Sequence, residues 1–458
     1  MPAAHRPAPT TPRFFRVLTF GCKVNQCDTA GMSQELAGRG WLSAPLGVVA
    51  DLHLVNTCTV TGRADQQARQ AIRRLSREYP ATPIWITGCY AQRAPGELAT
   101  LPGVQAVLGN REKRELAELW DKFAPDGQPG LWVDACPGRQ PFQPWRLRGF
   151  PGHTRAWLKI QEGCSHGCSY CIVPQVRGPR RSWPPAGVAA ALRELASAGY
   201  QEVVLTGIDL GQYGQDLNPP LSLAGLVRGL QEDGAPLRVR LSSLEPQEVT
   251  GNLLAELASW RNFCPHFHLP LQSGSASILN AMNRPYRPGE FRDLVLTIAR
   301  LFPEAALGLD VLVGFPGESA ADFEASLTLV ASLPVTYLHV FPFSARPGTP
   351  AARLKALPGQ ELSRRAGIIR ELGRQKRLAF MQAQTGRLRE VLVEGPAPQP
   401  GWLQGLSDNY LRVVFPGPAA WRNRRLLVRL LGVKEERLLG EALAGPNEPG
   451  ENPSCGIT

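Results

Sequence analysis

The sequence predicts an α/β protein in three parts: an open parallel-sheet domain, a partial (β/α)6 barrel, and a small carboxy-terminal β-barrel. Short apolar strands alternate with longer helical stretches in two successive series, a pattern that indicates βαβ units and predicts the first two parts. The third part is predicted by short strands joined by Gly-rich turns, with no helices between them. With 458 residues, the chain is too long for one ordinary domain.

The first part covers residues 13–123 and follows a Pro- and Ala-rich stretch, 1–12, that we expect to be a disordered tail. Its helical stretches are Asp28–Arg39 and Ala64–Tyr79. Residues 124–153 are rich in Pro, Gly and Arg and are predicted to be a linker. Each of the three strand candidates ends at a cysteine, and they are FRVLTFGC, DLHLVNTC and PIWITGC.

The second part covers residues 154–383 and ends in a long basic helix at 361–383. Six strands with helices between them favour a partial barrel over a flat sheet, although periodicity alone does not decide between the two. The strand candidates are AWLKIQEG, EVVLTGI, LRVRLSS, HFHLPL, ALGLDVLVG and TYLHVFPF.

The third part covers residues 384–445 and is predicted to be an OB-like barrel. Residues 446–458 have the composition of a second tail. The strand-forming segments are LREVLVEG, GWLQGLSDNYLRVVFPG and RRLLVRLLGV.

The composition favours a cytoplasmic protein with a polyanionic partner. Lysine and arginine outnumber aspartate and glutamate, which gives a net charge of +11, although many basic proteins bind no nucleic acid. No apolar run approaches the ~18 residues that span a bilayer, so we expect no membrane contact. Ten cysteines are too sparse for a secreted disulfide scaffold of this length, whereas clustered cytosolic cysteines are typical of metal or catalytic sites.

Three cysteines lie close together at C-x3-C-x2-C spacing: Cys164, Cys168 and Cys171. Thiolates are soft ligands that suit iron and sulfide. A [4Fe–4S] cluster held by three cysteines keeps one iron open for a small molecule, and no nearby fourth cysteine completes the set. His166 lies between two of the three and is poorly placed to reach that iron. The alternative is a structural zinc site, which normally has four ligands. These three cysteines are called the local trio below.

Three further cysteines, Cys22, Cys58 and Cys89, are far apart in sequence but each follows a predicted parallel strand. Adjacent parallel strands deliver their carboxyl ends to one crevice, so we expect these side chains to converge. The alternative is three ordinary buried cysteines. These residues are called the dispersed trio below. Cys27 could compete with Cys22 as a ligand. We favour Cys22 because it directly follows the strand and a glycine. Three other cysteines are interpreted as incidental, namely Cys136, Cys264 and Cys455.

The segment QEGCSHGCSYC, after the first strand of a (β/α) series, resembles the radical S-adenosylmethionine (SAM) superfamily. The resemblance implies that the local trio holds a [4Fe–4S] cluster whose open iron binds SAM, and that cleavage of SAM gives a 5′-deoxyadenosyl radical. Gly-rich segments at the ends of later strands fit SAM binding, because glycine lets the backbone approach a ligand closely. Each segment taken alone is more typical of a plain turn between a strand and a helix. The candidate SAM contacts are Tyr170, Gly207, Ser243, Glu245, Gln272 and Gly314.

The segments GCKVNQ, VNTCTVTGRADQQAR and TGCYAQ resemble the amino-terminal domain of the radical SAM methylthiotransferases. The resemblance implies an auxiliary [4Fe–4S] cluster on the dispersed trio, and a small RNA-binding TRAM barrel after the radical SAM domain. The implied reaction replaces C–H by C–SCH3 and needs two molecules of SAM and an external electron donor. The sulfur comes either from the auxiliary cluster or from a separate sulfide source. We expect a monomer.

Three substrate branches are known for that family. The sequences of these segments most resemble the branch that acts on N6-threonylcarbamoyladenosine in tRNA. The alternatives are isopentenyladenosine in tRNA and an aspartate of a ribosomal protein. A third hypothesis is that the chain is a non-catalytic iron–sulfur protein that binds RNA or serves as a scaffold. The three-cysteine site, which keeps one iron open, argues against this hypothesis.

The carboxy-terminal barrel is a candidate RNA-binding surface, because residues 361–445 contain 15 Lys/Arg and 8 Asp/Glu. Trp402 and Tyr410 are candidate stacking residues. The alternative is that the arginines only reflect an Arg-rich composition. Arginines after the local trio are candidates either for phosphate or substrate contact or for surface ion pairs, namely Arg177, Arg180 and Arg181. The candidate RNA contacts on the barrel are Arg422, Arg424 and Arg425.

Overall fold

The computed structural model describes residues 12–123, 128–135, 140–150, 152–234 and 237–443. The predicted tails (apart from Pro12), Cys136 and Cys455 lie outside these residues. Within them, no helix is long and apolar enough to cross a membrane.

The amino-terminal part is an open sheet of six parallel strands in the order β2-β1-β3-β4-β5-β6, as predicted. β3 and β4 are buried along their whole length, as expected of central strands covered on both faces. Part of the predicted linker joins this sheet, because β6 pairs with β5. The strands are β1 (Arg13–Thr19), β2 (Trp41–Ser43), β3 (Leu52–Thr57), β4 (Ile84–Gly88), β5 (Val104–Leu108) and β6 (Gly130–Trp132).

The first two helices of this part form as the sequence predicts, but α1 begins directly after Cys22, five residues before the expected start at Asp28. α2 is capped by Thr61, whose hydroxyl accepts the Ala64 N–H at 3.2 Å. The apolar face of α2 is buried, and its Arg- and Gln-rich face lies on the opposite side. The helices are α1 (Lys23–Gly38), α2 (Gly62–Glu78), α3 (Cys89–Arg93), α4 (Pro95–Ala99) and α5 (Leu116–Lys122), with a 3-10 turn at Glu112–Glu115.

The second part is a partial barrel of six parallel strands, as predicted. Its sheets β11-β10-β7 and β12-β13-β14 are joined by a single parallel bridge between Val239 and Phe263. The short strands β8 and β9 form a separate antiparallel ladder. The strands are β7 (Arg155–Lys159), β8 (Gln161–Glu162), β9 (Arg181–Ser182), β10 (Glu202–Thr206), β11 (Arg238–Leu241), β12 (His266–Gln272), β13 (Ala306–Val313) and β14 (Tyr337–Pro342).

Helices cover the outside of this barrel, and alternate strand residues such as Val203, Leu205 and Leu309 pack against them. The inner wall is polar, because the intervening positions include Glu202, Arg240 and His268. The helices are α6 (Val173–Arg177), α7 (Pro185–Ser197), α8 (Leu223–Glu232), α9 (Gly251–Ser259), α10 (Ala276–Ala281), α11 (Pro288–Leu301), α12 (Ala320–Ser332) and α13 (Gly359–Ala383), with 3-10 turns at Leu210–Gln212, Pro246–Glu248 and Pro350–Arg353.

The carboxy-terminal part is a closed five-stranded barrel in the order β15-β16-β17-β19-β18. It contacts the larger barrel directly, because Arg238 donates to the carbonyls of Glu390 and Leu406, each at 2.9 Å. Its last strand was not among the predicted ones. The strands are β15 (Leu388–Pro396), β16 (Trp402–Ser407), β17 (Arg412–Pro416), β18 (Arg425–Lys434) and β19 (Arg437–Ala442), with a 3-10 turn at Ala419–Trp421.

Candidate cluster and substrate site

The local trio occupies the loop between β8 and α6, where all three thiols are half-buried. The Cys171 N–H donates to the Cys168 carbonyl at 3.1 Å, which folds the loop into a turn. Burial, followed by the nearby Cys168 thiolate, raises the pKa of Cys171 to about 12. Burial, followed by the charge of Asp209, raises the pKa of Cys164. This turn keeps the three cysteines in one short loop, as the spacing predicts.

A buried arginine lies beside this trio. Arg284 donates to the Cys168 sulfur at 3.3 Å and forms an ion pair with Glu245. Glu245 is one of the predicted SAM contacts, so the structure joins it to the trio through Arg284. Arg284 was missed at the sequence level because it lies 116 residues from the cysteine it contacts.

His166 points toward two carboxylates, which the sequence did not identify as neighbours. Its Nε2 lies 3.0 Å from Glu248 Oε1 and 3.2 Å from Asp209 Oδ2. Hydrogen bonds to Asp209 and then Glu248 raise the pKa of His166 to about 10. Two carboxylates therefore hold the His166 ring beside the local trio.

The other predicted SAM contacts follow the carboxyl ends of successive barrel strands, so they lie along the rim that carries the local trio. Gly207 lies against Gln161, and a Cβ there would be 2.8 Å from Gln161 Oε1. Gln272 and Gly314 have positive φ values of 61° and 75°. Tyr170 packs on a buried apolar cluster that includes Met282, Phe315 and Phe343.

Ser243 faces the inside of the barrel, where its hydroxyl lies 2.6 Å from His268 Nδ1. The opposite nitrogen of His268 is 3.1 Å from Asp310 Oδ1, and the same oxygen is 3.4 Å from His339 Nδ1. Burial opposes the ionisation of Asp310, but these histidines outweigh it and lower its pKa to about 2. Polar groups from three neighbouring strands thus meet on the inner wall.

The dispersed trio converges as predicted. Cys22 precedes α1, Cys58 directly follows β3 and Cys89 begins α3 after β4, and their strands are neighbours in the sheet. Burial, followed by the charges of Cys89 and Cys22, raises the pKa of Cys58 to about 12. Gly21, with φ 94°, leaves room for this approach, since a Cβ there would lie 2.9 Å from the Cys58 sulfur.

Arg177 links the two trios. It ends α6, which follows the local trio, yet its Nε donates to the Cys89 sulfur at 3.1 Å. The same guanidinium donates to Asp28 at 3.1 Å, to Glu162 at 2.9 Å and to Asn25. The residue is only 1% exposed, so the interpretation of Arg177 as a surface ion pair is wrong: its ion pairs are buried.

Asp28 is the centre of the buried charge network around Arg177. Lys113 and Lys159 each donate to it at 2.5 Å, in addition to Arg177. Burial would raise the pKa of Asp28, but these cations outweigh it and hold that pKa well below its usual range. The network thereby ties α1 to the first barrel strand and to the loop that carries the local trio.

Cys27 contacts the first strand of the larger barrel. It is fully buried, and its thiol donates to the carbonyl of Trp157 on β7 at 3.3 Å. Burial raises its pKa. This thiol packs α1 against the barrel, which supports the choice of Cys22.

The predicted RNA contacts differ from one another in their surroundings. Arg422 and Arg424 are both exposed on the same edge of the barrel, and Arg422 donates to the Gly152 carbonyl at 3.1 Å. Arg425 is half-buried and lies 3.6 Å from Glu390. Tyr410 was predicted to stack on RNA, but it stacks on His266 at a centroid distance of 4.1 Å, inside the larger barrel. A positive φ of 68° in the turn after β16 directs it there.

Comparisons with known proteins agree with this geometry. Residues 15–109 match the uncharacterized protein family UPF0004, and residues 158–330 match the radical SAM superfamily. The threonylcarbamoyladenosine tRNA methylthiotransferase MtaB of Bacillus subtilis (strain 168) is 34% identical over 419 residues, covering 90% of this chain and 92% of the relative. The enzyme of the same name from Aquifex aeolicus (strain VF5) is 37% identical over 420 residues, covering 90% and 98%. The chain belongs to the radical SAM methylthiotransferase family.

The fold of this methylthiotransferase also resembles a solved structure. The radical SAM methyltransferase TsrM from Kitasatospora setae aligns with a TM-score of 0.52 and 18% identity, covering 74% of this chain and 75% of that chain. This likeness concerns the fold alone. Membership of the family makes the chain a radical SAM enzyme that uses SAM and a [4Fe–4S] cluster.

The residues of the methylthiotransferase fit iron–sulfur ligands. All six cysteines of the two trios are free thiols. In each trio one sulfur accepts an N–H from a buried arginine, Arg284 in the local trio and Arg177 in the dispersed trio. Such donors stabilise the excess negative charge of thiolate-bound clusters. Among the residues that the structure describes, no fourth cysteine joins either trio to give the closed four-cysteine set of a structural zinc site.

Proposed function

We propose that this methylthiotransferase converts N6-threonylcarbamoyladenosine next to the anticodon of tRNA to its 2-methylthio derivative. The substrate class comes from the relatives, whose names state that they act on threonylcarbamoyladenosine in tRNA. The geometry that carries the proposal is the joining of the two trios by Arg177, which follows one trio and contacts the other. Two reactive centres held by one network suit a reaction that needs both a radical and a sulfur donor.

In this proposal the local trio holds the radical SAM cluster, and the dispersed trio holds an auxiliary [4Fe–4S] cluster. When bound, the clusters and SAM supply the radical, the sulfur and the methyl group. The protein's own residues position them: Arg284 and Arg177 hold one sulfur of each trio, and Asp28 fixes Arg177. The residues on the rim of the barrel would contact SAM, namely Tyr170, Gly207, Ser243, Glu245, Gln272 and Gly314.

The remaining parts of the proposal concern organisation and partners. We assign residues 13–123 to the auxiliary-cluster domain, 154–383 to the radical SAM domain and 384–445 to a TRAM-type RNA-binding barrel. The exposed Arg422 and Arg424 would meet tRNA phosphates. The reaction would take place in the cytoplasm, with an external electron donor, in a monomeric enzyme.

Deleting the encoding gene and analysing tRNA nucleosides by mass spectrometry tests this proposal. We expect the 2-methylthio form of threonylcarbamoyladenosine to disappear while the unmethylthiolated nucleoside accumulates, and a plasmid copy to restore it. A plasmid copy in which Cys58 is replaced by Ala is the matched control and should not restore it. Persistence of the methylthio nucleoside contradicts the assignment. Loss instead of methylthio-isopentenyladenosine, or of a methylthiolated ribosomal aspartate, would assign the enzyme to another branch.

A further inference from the structure

Two histidines and an aspartate meet on the inner wall of the larger barrel. His268, Asp310 and His339 belong to the neighbouring strands β12, β13 and β14. Register places Asp310 beside His339, and it places His268 beside Gly308, two residues before Asp310. Because alternate residues of a strand share a face, all three side chains lie on the same side of the sheet. Their burial differs, since His268 is 8% exposed, Asp310 is half-buried and His339 is exposed.

One carboxylate oxygen lies next to both imidazoles. Asp310 Oδ1 is 3.1 Å from His268 Nε2 and 3.4 Å from His339 Nδ1. Despite these short distances, neither Asp310 Oδ1 nor His268 Nε2 has a hydrogen bond to any residue that the structure describes. A ring N–H of His268 directed at the carboxylate would form one. The two atoms therefore lie side by side, rather than as a donor facing its acceptor.

The spacing of these three atoms matches the ligands of a single metal ion. An ion such as zinc holds nitrogen and oxygen ligands at about 2.0–2.2 Å, so two ligands lie about 3.0 Å apart at a right angle and about 3.4 Å apart at the tetrahedral angle. The two distances to Asp310 Oδ1 fall in this interval. All three ligand atoms lie within 4.8 Å of one another, which places them around one point.

A hydrogen bond on the far side of His268 prepares this ring as a ligand. The Ser243 hydroxyl lies 2.6 Å from Nδ1, the nitrogen opposite the one that faces Asp310. In the tautomer in which Nδ1 donates to Ser243, Nε2 carries a lone pair and no hydrogen. Histidines that bind metals usually donate their other ring N–H to an oxygen in this way. A buried lone pair without a donor is costly unless a ligand occupies it.

We propose that His268, Asp310 and His339 bind one divalent transition-metal ion of the zinc type on the inner wall of the larger barrel. Imidazole ligands suit zinc and its neighbours among the transition metals, whereas magnesium and calcium prefer oxygen ligands. Three protein ligands leave coordination open for an oxygen or nitrogen atom of a molecule that enters the barrel. The site includes no cysteine, so it is separate from both trios and does not rest on the proposed function.

Zinc binding to the reconstituted full-length enzyme, without RNA, tests this proposal. The enzyme is dialysed against a series of buffered Zn²⁺ concentrations, and the bound zinc is measured by inductively coupled plasma mass spectrometry. We expect one Zn²⁺ per chain in the wild type. His339→Ala and Asp310→Asn should each weaken binding by a factor of about ten or more, because each removes a ligand atom. Ser243→Ala should weaken it about tenfold, because it removes the partner that orients His268.

X-ray absorption at the zinc edge identifies the ligands in the wild type. Zinc on the proposed residues has nitrogen and oxygen neighbours at about 2.0–2.1 Å, whereas zinc on the cysteines of a trio has sulfur neighbours at about 2.3 Å. His153→Ala, at an exposed histidine, is the matched control and should keep the wild-type affinity. Iron content and circular dichroism report whether each variant is folded. If Asp310→Asn loses iron, His339→Ala decides, since it changes an exposed side chain.

Several results overturn the proposal. These are a wild type that binds no stoichiometric zinc, a folded His339→Ala variant with wild-type affinity, and a zinc shell made of sulfur. Equal weakening in His153→Ala and His339→Ala would also overturn it, because zinc would then bind surface histidines without a specific site.

Discussion

At the scale of single residues, two buried arginines determine the surroundings of the cysteines. Arg284 contacts Cys168 and Arg177 contacts Cys89, each through an N–H to sulfur bond. The cysteines themselves could be predicted from sequence, because spacing identifies one trio and strand ends identify the other. The arginines could not, since the acidic partner Asp28 lies 149 residues from Arg177 and nothing local separates Arg177 from the half-buried Arg180 and Arg181.

Arg177→Met is expected to lower the reduction potential of the auxiliary cluster, because a positive charge and a hydrogen bond to a ligand sulfur both favour the reduced state. It should also destabilise the protein by about 3 kcal/mol, since Glu162 and Asp28 each lose a buried cationic partner. EPR-monitored redox titration of the variant lacking the local trio isolates the auxiliary cluster. Arg180→Met, at a half-buried arginine that contacts Gln212, is the control. An unchanged potential in Arg177→Met would show that this arginine has no electronic role.

At the scale of elements, the strands and helices that carry the cysteines could be predicted because their apolar patterns are strong. The early start of α1 could not be recognised in the sequence, because its N-cap residue, Cys22, is not a usual capping residue and makes no side-chain cap hydrogen bond. β19 was missed for a related reason. The turn before it consists of Glu435 and Glu436 with φ values of 49° and 57°, conformations that Asn and Gly normally mark in a sequence.

The pairing of β10 with β11 is held by a charge arrangement that can be tested. Register places Glu202 directly beside Arg238, and Arg240 reaches the same carboxylate. Burial opposes ionisation of Glu202, but Arg240 and Arg238 outweigh it and lower its pKa to about 2. The stabilisation is therefore present above the ordinary glutamate pKa of about 4.3 and is lost as the pH falls toward 2.

Glu202→Gln should destabilise the protein by about 3–5 kcal/mol at pH 7, because two buried arginines lose their anionic partner. Urea unfolding followed by circular dichroism measures the change. Glu256→Gln, which breaks a pair with the exposed Arg228, should cost less than about 1 kcal/mol. Equal effects of the two substitutions would contradict the importance given to the buried pair.

At the scale of the whole molecule, the order of the three parts could be predicted from sequence but their contacts could not. The carboxy-terminal barrel contributes carbonyl acceptors to Arg238 and Arg240 and inserts Tyr410 beside His266. These contacts join side chains and backbone more than a hundred residues apart, which no local pattern reveals. The small barrel therefore packs against the polar inner wall of the larger barrel, in addition to being a candidate RNA-binding surface.

The central claim is that each trio of cysteines holds its own cluster, and iron content of reconstituted variants tests it most directly. We expect Cys164→Ala/Cys168→Ala/Cys171→Ala to retain about half of the wild-type iron and to release no 5′-deoxyadenosine from SAM. Cys22→Ala/Cys58→Ala/Cys89→Ala should also retain about half, and the sixfold variant should retain almost none. Full iron content in either triple variant would contradict the two-cluster account.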